Sequence, residues 1–141
     1  MEKYIGLDLG TTTLGIAYSD FLGFVHGKET FRFPPDSYSK ARARVHEVCK
    51  ELGIKNIVIG LPLNMDGSEG ERAKSSKRFM EDLLKEDSTL KIELQDERLT
   101  SVSAHKTLSE LNVSHDKRKA SVDRLAACEI LDFYLRRKGN K

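Results

Sequence analysis

The sequence predicts an α/β domain on a mixed five-stranded sheet with helices packed on its faces. Three observations carry this. The opening third reads as three strands joined by short turns, an antiparallel meander. The apolar period then lengthens to that of a helix. From there on strands alternate with helices, which implies βαβ units and a parallel half.

Tyr4 to Leu9 is β-rich and stops at Gly10, and Leu14 to Ser19 follows closely enough for a hairpin. A third strand lies around Phe24 to Phe33 and ends at Pro34-Pro35. Ala41, Val45, Val48 and Leu52 recur at helical spacing, with Asp36 or Ser37 as cap and Gly53 closing the helix. Asn56 to Gly60 is a short, nearly continuous apolar run, as expected of a strand buried on both faces. Ser68-Glu69-Gly70-Glu71 has capping-box spacing and opens a helix to about Lys85, with Ala73, Phe79 and Leu83 inward. Lys91 to Gln95 is the fifth strand, and Thr100 or Ser101 caps a helix to about Leu111. A final helix carries Val122, Leu125, Ala126, Glu129, Ile130 and Phe133.

With 141 residues the chain fits one domain, residues 1–141. It has 24 Lys and Arg against 22 Asp and Glu, with 38% hydrophobic residues, so a disordered or strongly charged chain is excluded. No apolar stretch approaches the ~20 residues of a membrane span, and the first residues lack an apolar signal core. A cytoplasmic location with no membrane partner is expected. Cys49 and Cys128 sit among helical residues and read as reduced thiols. The four histidines show no zinc-like spacing.

Three acids stand out. Asp8 lies inside an apolar strand between Leu7 and Leu9, where a carboxylate needs a cation or strong donors. Glu97 falls after a strand and before a helix, the place where open α/β sheets build sites, and adjacent Asp96 competes for the role. Asp123 stands one residue off the apolar stripe of the last helix, beside the small Ala126 and Ala127. Each has a structural alternative: a turn cap for Asp8, pairing with Arg98 for the second pair, a helix-start acid for Asp123. If the three meet, their mutual repulsion calls for a hard divalent cation, Mg²⁺ or Mn²⁺. Two such ions ~3.5–4 Å apart activate water and stabilise a leaving 3′ oxygen.

Four segments resemble one family in order. They are Gly6-Leu7-Asp8-Leu9-Gly10 with Gly15 to Asp20, Gly60-Leu61-Pro62-Leu63-Asn64-Met65-Asp66-Gly67-Ser68, Asp96-Glu97-Arg98-Leu99-Thr100, and Val122-Asp123-Arg124-Leu125-Ala126-Ala127. On them the chain is identified as a member of the YqgF family, also called RuvX. Its members are described as Holliday junction resolvases and as pre-16S rRNA nucleases. The likeness runs from about residue 3 to residue 136. It implies a ribonuclease H-like fold and metal-dependent phosphodiester hydrolysis, with Asp8, Glu97 and Asp123 as the catalytic and metal-binding triad. It also implies a bacterial cytoplasmic protein maturing the 5′ end of ribosomal RNA. One difference is Thr13, where many members carry a basic residue.

The expected nucleic-acid contacts are Thr11, Asn64, Arg72, Arg98 and Lys119. Asn64 belongs to a loop leading into a helix start, where backbone N–H groups suit a phosphate, and Arg72 lies in that first turn. Residues 115–141 hold eight Lys and Arg against four acids, and Lys40, Arg42, Arg44 and Lys50 enrich the first helix. The expected partner is RNA, pre-16S rRNA free or within the pre-ribosomal particle, with branched DNA as the second substrate, acted on by a monomer or weak homodimer. Two other classes are weighed against this nuclease reading. Ile5 to Thr13 looks like the first phosphate loop of actin/Hsp70-like ATPases, whose two lobes need a much longer chain. A non-catalytic RNA-binding assembly factor would keep the fold and the basic patch without hydrolysis.

Overall fold

The structure is a computed structural model that describes residues 2–98 and 115–139, with side chains for 2–98 and 124–139. Its sheet follows the expected plan. Strands β1 (Tyr4–Leu9), β2 (Thr13–Ser19) and β3 (Val25–Arg32) form the antiparallel meander. Strands β4 (Asn56–Leu61) and β5 (Lys91–Asp96) extend it in parallel, giving the spatial order β3-β2-β1-β4-β5. Strand β1 is therefore central, with β2 on one side and β4 on the other.

Alternation along β1 decides what faces what. Ile5, Leu7 and Leu9 point into a core shared with helices α1 (Tyr38–Leu52) and α2 (Glu71–Glu86). Tyr4 points the other way, into a second core with helix α3 (His115–Arg137). Gly6 and Asp8 share Tyr4's face, so the carboxylate that looked anomalous in the sequence stands on the α3 side of the sheet.

Helix α3 crosses the meander strands and reaches β4. Small residues set the depth of this packing. A Cβ added at Gly6 would stand 2.8 Å from Leu131 Cβ, so the helix rests against bare backbone. The buried stripe is Ala126, Ala127, Ile130, Leu131, Tyr134 and Leu135. This rotates the expected inward face. Leu125 and Glu129 are only half-buried and Phe133 is 43% exposed. The glycine-lined sheet takes alanines where a hydropathy count favours the phenylalanine.

Two caps also differ from expectation. Ser37 is the N-cap of α1 without a side-chain bond, and Asp36 sits at φ 63° instead of capping. Gly70 is the N-cap of α2, and no capping box forms. The Ser68 hydroxyl donates to Asp66 Oδ1 at 2.6 Å, which ties the side chain into the preceding loop. Gly53 closes α1 in the left-handed conformation as expected. The helix expected from Thr100 or Ser101 lies outside the described residues. Both cysteines are free thiols.

Candidate active site

The site grows from the C-terminal end of β1. Asp8 pairs in register with Gly15 of β2. On the β4 side, one step beyond the Leu7–Ile59 pair, it is level with Gly60. Neighbours without side chains leave room above Asp8, and Glu97 fills it. The chain leaves β5 at Asp96, Glu97 N–H donates to Leu61 O at 3.2 Å, and the carboxyl turns inward, 5% exposed. A Cβ at Gly60 would collide with Glu97 Oε2 and stand 2.5 Å from Ile130 Cδ1. The Glu97 carboxyl thus occupies the space a side chain on β4 would take, between Asp8 and α3.

The Asp8 and Glu97 carboxyls share a hydrogen bond. Burial first, and then the negative charge of Asp8, push the Glu97 carboxyl up to about 8. The Arg72 guanidinium pulls in the opposite direction. Arg72 reaches over from the first turn of α2 and donates to Leu9 O at 2.9 Å, which locks the start of α2 to the end of β1. Two carboxyls in contact hold either one proton or one cation between them. The donor set is hard oxygen, and the cradle left by Gly60 orients one of its members. These residues fit Mg²⁺ or Mn²⁺.

The structure separates Asp96 from Glu97. Asp96 accepts from Arg98 Nε at 2.8 Å and Nη2 at 2.7 Å, and these bonds hold its carboxyl below the usual range. The same guanidinium donates from Nη1 to Met65 O at 3.2 Å, fastening the loop 62–70 to the end of β5. Asn64 Nδ2 donates to Ser68 Oγ at 3.0 Å within that loop. Thr11 is exposed in the turn after β1, and Thr13 is buried at the start of β2.

Asp123 lies in α3, one turn before Ala127. The helix begins at His115, two turns earlier, so a helix-start role does not account for this acid. The side chains of Asp123 and Lys119 lie outside the described residues. Among the described residues, no three potential ligands form a metal cluster. Two basic residues of α1 are already paired: Arg44 with Glu29 at 2.6 Å, and Arg42 with Glu86 at 3.0 Å. The residue that sequence reasoning passed over is Gly60. Its signal was a glycine closing an otherwise apolar strand, immediately before the Leu61-Pro62 loop.

Comparison with known proteins gives the family and the fold. The family described as "RuvX: Holliday junction resolvase" matches residues 2–137. A Clostridium perfringens protein named "Putative pre-16S rRNA nuclease" is 42% identical over 136 residues, covering 96% of this chain and 97% of its own. One of the same name from Oceanobacillus iheyensis is 39% identical over 137 residues, covering 96% and 99%. Among solved structures, T. thermophilus RuvC in complex with a Holliday junction substrate aligns with a TM-score of 0.60 at 15% identity, covering 97% and 96%. The yeast mitochondrial Holliday junction resolvase Ydc2 aligns with a TM-score of 0.55 at 12% identity, covering 98% and 79%. These two likenesses show the ribonuclease H-like fold. With a match of that length and relatives of that identity, the chain belongs to the RuvX family.

Proposed function

We propose that this protein is a metal-dependent nuclease that hydrolyses phosphodiester bonds in the 5′-end maturation of pre-16S ribosomal RNA in the bacterial cytoplasm. The observation that carries it is the carboxyl pair: Asp8 and Glu97 in hydrogen-bond contact at the end of the central strand. Family membership and the names of the relatives support the reaction class.

In this reading Asp8, Glu97 and Asp123 hold one or two ions of Mg²⁺ or Mn²⁺. Bound there, the ion supplies Lewis-acid polarisation of the scissile phosphate and an acidified water. The chain's own residues do the rest. Asp8 stands fixed in the central strand and orients one ligand oxygen. Glu97 gives up the shared proton when a cation takes its place. Arg72 keeps positive charge beside the pair and anchors α2 to β1. Thr11, Asn64, Arg72, Arg98 and Lys119 position the nucleic-acid backbone, with Arg98 acting through the loop 62–70 that it holds. Lys119 neutralises phosphate charge from α3.

Incubation with precursor 16S rRNA and with a four-way DNA junction, each with and without Mn²⁺, tests the proposal. The expected result is Mn²⁺-dependent cleavage of the RNA that Asp8→Asn abolishes. Cleavage of the junction alone would move the substrate to branched DNA. Cleavage of neither, with RNA binding intact in Asp8→Asn, would make the protein a binding factor.

A further inference from the structure

Among the described residues, four of the five large hydrophobic side chains left exposed belong to one region. Phe21, Leu22 and Phe24 form the turn between β2 and β3, at 69%, 62% and 60% exposure, and Phe133 lies on α3 at 43%. Phe24 and Phe133 line the same open groove of about 500 Å³, floored by Leu125 and Cys128. The aromatic tip is held rigidly. Asp20 Oδ1 accepts from Leu22 N–H at 2.9 Å and from Phe24 N–H at 3.0 Å, and Asp20 Oδ2 pairs with His26 Nε2 at 2.8 Å. An aromatic cluster fixed in water marks an interaction surface more than a loose loop does.

The charges beside the groove indicate what covers it. Glu129, Asp132 and Arg136 lie on the outer face of α3, at helical spacing and opposite its buried stripe, and all three line the groove. Two copies of α3 packed antiparallel about a two-fold axis between Asp132 and Phe133 bring residue 129 opposite residue 136. Each Glu129 then meets the other copy's Arg136, and the pairing occurs twice. The same operation carries each Phe133 to the other copy's groove. Self-complementarity of this kind is what a two-fold interface requires. Arg136 remains available for it. Its contact with Asp132 at 3.0 Å leaves the side chain 70% exposed, and a guanidinium has donors for a second carboxylate.

We propose that the outer face of α3, clasped by the β2–β3 turn, is a homodimer interface in which α3 packs antiparallel against α3 of a second copy. The aromatic side chains supply the buried area, and the reciprocal Glu129–Arg136 pairs set the register.

Sedimentation equilibrium of the full-length chain, from about 10 µM to about 1 mM, tests this over the range of weak to moderate dimers. The wild type should move from monomer towards twice that mass. Phe133→Asp should weaken association at least tenfold. Glu129→Arg and Arg136→Glu should each do the same by setting like charges together, and the double variant Glu129→Arg/Arg136→Glu should recover most of the loss. These positions lie on the solvent side of α3, so far-ultraviolet circular dichroism should match the wild type. A wild type that stays monomeric at about 1 mM overturns the proposal. So does a double variant as weak as either single one, or a dimer indifferent to Phe133→Asp.

Discussion

Replacing Glu97 by glutamine isolates the carboxyl pair. In the metal-free protein the Glu97 carboxyl titrates at about 8, because it is buried and faces Asp8. In the unfolded chain it titrates near the ordinary value of about 4.3. A group whose folded value is raised favours folding in its protonated form. That contribution is complete below the unfolded value and is lost as pH rises towards 8. Each pH step in that window removes about 1.4 kcal/mol, which sets a ceiling of about 5 kcal/mol for the ionised carboxyl. Glutamine keeps the shape and a donor towards Asp8 but never ionises. At pH 5, Glu97→Gln should unfold in urea within about 1 kcal/mol of the wild type, because both carry a neutral side chain there. At pH 8.5 and with a chelator present, it should be the more stable protein by about 2 kcal/mol or more. Added Mn²⁺ should reverse the order, since ligand binding stabilises only the chain that can hold it. Urea midpoints at pH 5, 6.5 and 8.5 check this. A glutamine variant whose stability falls with pH as steeply as the wild type's would refute the shared-proton reasoning.

Other substitutions perturb the residues around the carboxyl pair and the nucleic-acid face. Asp8→Asn should abolish divalent-dependent cleavage while the thermal midpoint holds or rises, because a partly buried charge is removed from the carboxyl pair; differential scanning calorimetry beside a cleavage assay reads both. Gly60→Ala should cost about 1–3 kcal/mol and weaken Mn²⁺ binding, since the new methyl takes the space of the Glu97 carboxyl and of Ile130; calorimetric titration with Mn²⁺ measures the second effect. Lys119→Ala should weaken RNA binding and lower the slope of log affinity against log salt by about 1, and an unchanged slope would take this lysine out of the interface.

The sheet was legible because its signals are local. The β-rich runs of β1 and β2 with Gly10 between them, a nearly continuous apolar run in β4 and a Gly53 stop after an amphipathic α1 each fix one element with nothing from elsewhere. Asp8 was legible for a related reason: a charge among Ile5, Leu7 and Leu9 conflicts with its own strand. What the sequence could not decide depends on how elements meet. Asp96 and Glu97 are adjacent acids, and only the position of Arg98 against the loop 62–70 assigns one to an ion pair and leaves the other for the site. The rotation of α3 was hidden because its inward side is cut to fit a sheet of glycines, so alanine packs where Phe133 would not fit. The absence of a capping box at Ser68 has a different, local origin: its hydroxyl bonds to Asp66 two residues back, and the helix starts later, with Gly70 as N-cap.

The two described acids reach the site by very different routes. One is carried by the middle strand of five, hydrogen-bonded along both edges, and can shift only if the whole sheet deforms. The other hangs just past the last residue of an outermost strand, steadied by a backbone bond to Leu61, by its bond to Asp8 and by its fit over Gly60. The proposed centre is therefore a vice with one jaw fixed in the sheet and one adjustable jaw past its edge. Mutational drift, substrate-induced movement and engineering of metal preference should all act through the adjustable side, while the fixed side keeps the frame of reference for the reaction.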